Sequence, residues 1–304
     1  MPVRRFARPH AEGIQSVDLR QPWLSTAKTA LDRDGAVVLT GTGLADAAAV
    51  TGEQMLVESE LLLPYLEELT VYAAGHLRQY PPTGSDSRVL DVLRNPALHE
   101  IARAVLGPEC YLANYMGHTV LPGSHTQPVH ADWGPLWADY PDYHPPFLLA
   151  YNLALVPTDE SNGSVEVWPG THRRCGAFNA GALTVREAEL TRQARSRPPE
   201  QVVMAAGDLL IRDVRTWHRG THNPSATARP MIFGLLAAEW YRYQSSRPLV
   251  LSEALADQVP EVGIAVACEF TAAEFDPVRW SIDSGTELAA DGGSSGSTSG
   301  RRTR

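Results

Sequence analysis

Two short segments carry histidine and carboxylate side chains at spacings that suit a metal site. In the first, Gln127-Pro-Val-His130-Ala-Asp132, the histidine and the aspartate lie two residues apart, so on an extended backbone both side chains point to one face. An imidazole and a carboxylate on one face can chelate a divalent metal, and a facial site then needs a third ligand from a distant strand. By itself the motif is weak, because a surface turn would give the same pattern.

The second segment offers the third ligand and a cation. Residues 207–218 indicate a turn, a strand and then His218 at the exit of that strand, and Arg229 follows eleven residues later at the start of an apolar run. A guanidinium at that position could bind a carboxylate through two parallel hydrogen bonds. His222 is a poorer ligand candidate, because histidines four residues apart share a face only on a helix and residues 221–224 do not indicate one.

The elements that must position these residues are short strands preceded by helices. Apolar spacing predicts helices within 44–69 and 86–106, with Pro96 in a first helical turn. After Glu109, short apolar runs alternate with glycine, proline and asparagine turns. The predicted strands are Tyr111–Val120, Gln127–His130, Phe147–Val156, Ser164–Trp168, Gln201–Met204, Asp208–Ile211 and Pro230–Trp240.

This order of elements predicts a mainly β protein with N-terminal helices, built on a double-stranded β-helix, the jelly roll of cupin-like proteins. We expect one domain over residues 1–285, with a helical cover at about 25–107 and a jelly-roll core at about 108–245. The last segment, 286–304, is rich in glycine and serine and cannot bury apolar area, so we expect it to be disordered.

Composition narrows the classes of function. The 304 residues carry a formal net charge of −9, which argues against nucleic-acid binding and suits attraction of a cationic small molecule. No run of eighteen apolar residues predicts a membrane span. The three cysteines are widely spaced and lack a CxxC pair, so we expect neither a disulfide scaffold nor a structural zinc site, and a cytoplasmic location. The oligomeric state is not predictable from these features.

The pattern of HxD, a distant histidine and a following arginine resembles the phytanoyl-CoA dioxygenase superfamily of Fe(II)- and 2-oxoglutarate-dependent oxygenases. The resemblance extends from about Asp32 to about Trp240, and it is most similar to the kanamycin B dioxygenase branch. The residues that carry it are His130-x-Asp132, Asn162-Gly-Ser, Trp168-Pro-Gly-Thr-His172, Gly207-Asp-Leu-Leu-Ile211, Trp217-His-Arg-Gly220 and Arg229-Pro230; for the branch, Leu121-Pro-Gly-Ser-His125, Leu136-Trp137 and Ile211-Arg-Asp213 are added.

The resemblance implies the roles of four residues. His130, Asp132 and His218 would bind Fe(II), and Arg229 would bind the distal carboxylate of 2-oxoglutarate, with O2 as the other co-substrate. The enzyme would hydroxylate or oxidise a C–H bond of a small polar secondary metabolite, such as an aminoglycoside-type amino sugar in antibiotic biosynthesis. The presence of Asp132 favours hydroxylation over halogenation, because related halogenases replace this carboxylate with a small residue.

Further candidates have equally good structural explanations. Gln127 and Asn114 could contact 2-oxoglutarate or be hydrogen-bonded core amides, and Thr221 could touch the same ligand. Trp133 and Trp137 follow the metal-binding aspartate on a predicted loop, where substrate contacts are common. Glu166 lies on a predicted strand and could face inward to recognise an amine, or face solvent.

Three alternatives stay open on the sequence. The same chemistry could act on an aromatic polyketide or a modified amino acid. The chain could instead be a non-catalytic jelly-roll protein that binds a ligand, or a cupin-like metal isomerase or hydrolase. The intact set of His130, Asp132, His218 and Arg229 argues against the ligand-binding protein, because a decayed site would be expected to lose at least one of them. The isomerase or hydrolase would have no use for Arg229.

Overall fold

The computed structural model describes residues 14–137, 144–174, 177–243 and 248–283. Its helices are α1 Leu24–Asp34, α2 Ala45–Leu62, α3 Leu66–Leu69, α4 Val89–Leu93, α5 Pro96–Leu106 and α6 Glu187–Ser196. Its strands are β1 Ser16–Asp18, β2 Ala36–Thr40, β3 His76–Gln79, β4 Tyr111–Val120, β5 Leu148–Ala154, β6 Val165–Val167, β7 Glu200–Gln201, β8 Leu209–Asp213, β9 His218–Gly220, β10 Arg229–Ala237, β11 Leu249–Ser252, β12 Ala265–Val266 and β13 Cys268–Thr271. The predicted disordered tail, 286–304, lies outside the described residues.

A large sheet forms the centre of the molecule. Its strands follow the order β1-β2-β8-β5-β10-β4-β12, and β3 also pairs with β4. The pairs β8–β5, β5–β10 and β10–β4 are antiparallel. Most neighbours in the sheet are distant in sequence, as expected of a jelly roll rather than a chain of hairpins.

The two faces of the large sheet have different partners because side chains alternate along each strand. On β5, Leu149, Tyr151 and Leu153 pack in the core shared with the helices. The intervening residues include Leu148 and Asn152, which line a cavity on the other face. The helices therefore cover one face and leave the other for the functional site.

A smaller sheet, ordered β7-β6-β9, lies across that cavity. Val165 on β6 and His218 and Gly220 on β9 line the same cavity as the inner residues of β4, β5, β8 and β10. Two sheets that enclose a site, with helices on the outer face, confirm the predicted jelly-roll fold.

Several predicted elements are shifted or interrupted. The predicted helical cover also contains β2 and β3, which join the large sheet; α1 ends at Gly35, whose φ of 77° lets the chain turn directly into β2. The predicted strand Gln127–His130 is wrong: in this segment only His130 forms isolated bridges, because Pro128 has no N–H to donate to a ladder. Within the described residues, no helix combines the length and apolarity needed to cross a bilayer.

Candidate active site

His130 and His218 lie side by side because their backbones pair directly. The N–H of His130 donates to the carbonyl of His218 at 3.0 Å, and the N–H of His218 donates back at 2.8 Å. This exchange is the hydrogen-bonded pair of an antiparallel ladder. It brings the two imidazole rings to a centroid distance of 4.5 Å.

Asp132 completes a cluster of three possible metal ligands. Its backbone N–H donates to the carbonyl of Val214 at 3.0 Å, which fixes the aspartate beside the end of β8. One ligand atom from each of His130, Asp132 and His218 lies within 4.8 Å of the others. In the part of the chain that the structure describes, this is the only group of histidine, cysteine or acidic side chains with such geometry.

The protonation states of this cluster suit a cation. Burial lowers the pKa of His130 to about 3, so its imidazole is neutral and offers a lone pair near neutral pH. Burial alone would raise the pKa of Asp132, but the nearby His218 and Arg212 outweigh it, and the pKa lies far below its ordinary value. Asp132 is therefore an anionic oxygen ligand.

Arg212 contacts two members of the cluster. Its Nη2 lies 3.1 Å from Oδ2 of Asp132, and its Nη1 lies 3.0 Å from Nδ1 of His218. The arginine is 2% exposed and lies on the inner face of β8. Sequence reasoning assigned no role to this side chain, although an arginine that follows Leu209-Leu-Ile on a buried strand is an unusual residue that could have indicated one.

Arg229 is a buried cation with free hydrogen-bonding capacity. It opens β10, is 1% exposed, and burial lowers its pKa to about 10. Among the described residues, neither its Nε nor its Nη2 has a hydrogen-bond partner, and Nη1 lies 3.7 Å from the sulfur of Met231. Leaving a buried guanidinium without partners is costly, so the site is suited to an incoming carboxylate.

A cavity of about 280 Å³ connects the cluster with Arg229. Seven of the ten residues predicted from the sequence line this cavity, and three, Thr221, Glu166 and Trp137, do not. The seven are Asn114, Gln127, His130, Asp132, Trp133, His218 and Arg229.

The predicted polar contacts differ in their surroundings. Gln127 is held by the backbone: its Nε2 donates to Val71 at 3.0 Å, and its Oε1 accepts the N–H of Gly220 at 2.8 Å. Thr221 donates to the carbonyl of Ser164 at 2.9 Å, away from the cavity. Asn114 lies on the inner face of β4 and lines the cavity as Gln127 does.

Glu166 is occupied by two neighbours in the smaller sheet. Its Oε1 accepts the indole N–H of Trp168 at 3.1 Å and lies 2.7 Å from Nε of Arg219. Arg219 also donates from Nη2 to Oε2 at 3.0 Å. The carboxylate therefore neutralises a protein cation instead of facing the cavity.

The two predicted tryptophans have different positions. Trp133 lines the cavity, and its ring contacts Tyr243 at a centroid distance of 5.5 Å. Trp137 is 56% exposed and its ring lies edge-on to His144. Only Trp133 is placed to meet a ligand in this cavity.

The cavity contains further residues that were not among the predicted site residues. Tyr72, Arg78 and Asn152 line it, and so does His118, whose Nε2 has no hydrogen-bond partner. His118 and Arg78 are cross-strand neighbours on β4 and β3. On its predicted strand His118 could be either a core residue or a contact behind the metal ligands, and its alternation with Asn114 favours the inner face. Nothing in the sequence marks Tyr72, which belongs to a loop.

Comparisons with known proteins agree with this fold and site. The family model described as Phytanoyl-CoA dioxygenase (PhyH) matches residues 31–231. The dioxygenase andF of Emericella variicolor is 27% identical over 155 residues, which are 46% of this chain and 46% of that protein. The chain thus matches less than half the length of that relative.

Two crystal structures of EctD from S. alaskensis share the fold. The structure with 2-oxoglutarate and 5-hydroxyectoine has a TM-score of 0.54 and 20% identity, and the match covers 81% of this chain and 92% of that one. The structure with bound Fe has a TM-score of 0.52 and 21% identity, with 80% and 86% covered. At these identities the likeness establishes the jelly-roll fold alone.

The family model covers about two thirds of the chain and includes the whole triad and Arg229. This match confirms the superfamily predicted from the motifs, a superfamily of 2-oxoglutarate-dependent dioxygenases. The chain belongs to the phytanoyl-CoA dioxygenase family.

Proposed function

We propose that this protein is an Fe(II)- and 2-oxoglutarate-dependent dioxygenase that oxidises a C–H bond of a small polar secondary metabolite in the cytoplasm. One observation carries the proposal: His130, Asp132 and His218 converge in the same cavity as the unpartnered, buried guanidinium of Arg229. A metal that needs an acidic co-substrate requires both features together.

The donor set fits Fe(II). Two imidazoles and one carboxylate on one side of a cavity are typical of non-haem Fe(II) sites with open positions for further ligands. No cysteine takes part, and the cluster offers three ligand residues. His130, Asp132 and His218 would hold the metal, and Arg229 would hold the distal carboxylate of 2-oxoglutarate.

The bound metal, with 2-oxoglutarate and O2, supplies the oxidation of a C–H bond while the keto acid becomes succinate and CO2. The protein's own part is to bind and orient. Neutral His130 and ionised Asp132 present lone pairs without prior loss of a proton. Arg229 would bind the distal carboxylate of the keto acid, and the cluster at the other side of the cavity would bind its other end. The two sheets limit the access of water to the cavity.

Arg229 also separates the oxygenase from the two other classes of protein. A cupin-like isomerase or hydrolase would have no need for a buried, unpartnered arginine near its metal. A non-catalytic ligand-binding jelly roll would have no need for the triad. The presence of both features in one cavity supports the oxygenase.

Anaerobic titration tests the proposal. Addition of Fe(II) and then 2-oxoglutarate without oxygen should give a visible charge-transfer band, and admission of oxygen should give succinate. His130→Ala and His218→Ala should abolish both signals while circular dichroism stays unchanged. A folded wild-type protein that shows neither signal would exclude this function and favour the ligand-binding alternative.

The charge of the cavity bears on the substrate. Among the described residues that line it, Arg78, Arg212 and Arg229 carry guanidinium groups, and Asp132 is the one acidic side chain. Arg212 is paired with Asp132, whereas Arg78 has no acidic partner in the described parts of the chain, and its Nε is buried without a hydrogen bond. This charge balance favours a substrate with an anionic group over one with an ammonium.

The predicted amino sugar of the kanamycin type is therefore supported by the motif resemblance and not by the cavity, since Glu166 is paired elsewhere. Of the alternatives, a modified amino acid brings the carboxylate that Arg78 lacks. The two hypotheses are separable by substrate-stimulated succinate formation with kanamycin B and with an N-acylated aromatic amino acid. Stimulation by kanamycin B alone would favour the amino sugar.

A further inference from the structure

The two carboxylate oxygens of Asp132 have different partners. Oδ1 lies 3.3 Å from Nε2 of His218, and Oδ2 lies 3.1 Å from Nη2 of Arg212. Nδ1 of His218 lies 3.0 Å from the carbonyl of Thr216, which leaves Nε2 as the nitrogen for a metal, and Oδ1 is the carboxylate oxygen beside it. Oδ2 is turned toward the sheet, where it meets a cation.

The side chain of Arg212 is also contacted by a residue of the neighbouring strand β5. Its Nε and Nη2 each lie 3.3 Å from Oδ1 of Asn152, which lies on β5, the strand next to β8. Nη1 packs beside the ring of His218, 3.0 Å from Nδ1. Because Nδ1 also lies 3.0 Å from the carbonyl of Thr216, it is a donor to that carbonyl when Nε2 is free for a metal, and it accepts no hydrogen bond from Arg212. A guanidinium is planar and donates in fixed directions, so these contacts leave the side chain, 2% exposed, little freedom to rotate.

We propose that Arg212 is a positioning residue that keeps Asp132 monodentate. Carboxylates bind metals through one oxygen or through two, and an unrestrained Asp132 could rotate to present both. The second oxygen would take a coordination position that 2-oxoglutarate needs. Through its ion pair with Oδ2, Arg212 would limit Asp132 to one ligand oxygen, so that three protein atoms would hold the metal and the remaining positions would stay open for 2-oxoglutarate and O2.

This inference rests on the proposed function, because it assigns Arg212 a role toward the same metal. It adds a specific consequence, which is the number of positions left open. Outer contacts of this kind orient the direct ligands, and their loss commonly lowers affinity or activity by about 10- to 100-fold. A structural contribution to folding alone would not change how many water molecules the metal binds.

The test counts metal-bound water with Mn(II) as the probe, in the absence of 2-oxoglutarate. Water-proton relaxation of the Mn(II)-loaded wild-type protein should report three exchangeable waters. Arg212→Met, which keeps the length of the side chain and removes its donors, should lose about one third of this relaxation enhancement as Asp132 becomes bidentate. The affinity of the Fe(II) form for 2-oxoglutarate should fall by about 10-fold or more.

Two further variants guard against a folding defect. Asn152→Ala keeps the charges of Arg212 and Asp132 but removes the hydrogen-bond acceptor of Arg212. It should therefore lower the relaxation and the 2-oxoglutarate affinity in the same direction, by smaller amounts. Arg212→Lys should restore part of the relaxation, because one donor remains. Arg197→Met serves as the control: this arginine forms an ion pair with buried Asp34 that is also contacted by Arg33, and its loss should leave the relaxation unchanged.

Wild-type relaxation in Arg212→Met together with weak 2-oxoglutarate binding would overturn the inference, since Arg212 would then act on the co-substrate itself. Equal loss in Arg197→Met would also overturn it, because the effect would be structural. A wild-type protein that binds Mn(II) with three waters but gives no succinate would refute the proposed function and leave the positioning role measurable.

Discussion

The phenol ring of Tyr72 stacks on the imidazole of His130, with ring centroids 4.1 Å apart and an interplanar angle of 28°. Tyr72 is also the one non-glycine residue with positive φ in the described residues, at 64°. A side chain in this conformation costs about 1 kcal/mol or more. The backbone conformation that places this aromatic ring against a predicted metal ligand is therefore a strained one.

Replacement of Tyr72 should separate strain from stacking. Tyr72→Gly and Tyr72→Ala both remove the ring, but glycine tolerates the positive φ and alanine does not. We expect the glycine variant to be more stable by about 1 kcal/mol, which thermal unfolding can measure. The reverse order, which is usual at ordinary backbone positions, would show that the loop relaxes.

Both variants should weaken Fe(II) binding to a similar degree, because both free the ring of His130. Tyr72→Phe keeps the stacking ring and should bind iron as the wild type does. Competition with a metal chelator gives the affinities. If the phenylalanine variant loses iron like the others, the hydroxyl rather than the ring would be the important group.

Arg229→Lys should lower the affinity for 2-oxoglutarate by roughly one to two orders of magnitude. The charge is kept, but the planar pair of donors is lost, and a charged hydrogen bond contributes about 1.5–3 kcal/mol. Anaerobic titration of the charge-transfer band measures the change, while iron affinity should stay constant. Arg88→Lys is the matched control, since Arg88 is exposed and forms an ion pair with nearby Asp91. Unchanged affinity in Arg229→Lys would place the carboxylate elsewhere.

Glu166→Gln should leave succinate formation and substrate binding intact. Its carboxylate is engaged with Arg219 and Trp168, so the loss is one partly buried ion pair, worth about 1 kcal/mol of stability. Arg219→Gln removes the same pair from the other side and should match it in thermal unfolding. A drop in affinity for an amine substrate, seen in Glu166→Gln alone, would reinstate Glu166 as a recognition residue.

The sequence motifs predicted the metal-binding cluster and Arg229 more accurately than the residues around them. HxD and the distant histidine converge because His130 and His218 exchange backbone hydrogen bonds, and this pairing depends on strands far apart in sequence. Arg229 was placed by its position at the start of an apolar strand. The roles of these residues can be predicted from the sequence because the chemistry restricts their types and spacing.

The orientation of the side chains around this cluster could not be predicted from the sequence in the same way. Glu166 alternates with Val165, which lines the cavity, so its side chain lies on the other face of the smaller sheet, and only the structure gives it Arg219 as a partner. Thr221 similarly finds a backbone carbonyl outside the cavity. Tyr72 stacks on His130 from a loop, and no local sequence pattern predicts the conformation of that loop. Local spacing predicts which face a residue occupies, whereas its partner depends on tertiary contacts.

A pH-dependent effect on stability is expected at Glu58, on α2. Burial, opposed by a contact with Gln79 and reinforced by Asp86, raises the pKa of Glu58 from 4.5 to about 7. The folded state therefore favours the protonated carboxyl. Its stabilising contribution is complete below about pH 4.5, declines as the pH rises, and is lost once the pH passes about 7.

Glu58→Gln mimics the protonated group at every pH. The melting temperature of this variant should equal that of the wild type near pH 4.5 and exceed it at pH 8. Because the side chain is only partly buried, we expect a difference of about 1 kcal/mol, or about 2–4 °C in a chain of this size. Glu60→Gln, at an exposed position on the same helix, should follow the wild-type curve throughout. A Glu58→Gln curve parallel to that of the wild type between pH 5 and 8 would mean that Glu58 is solvated, and that its contact with Gln79 at 3.5 Å is made by an ionised group.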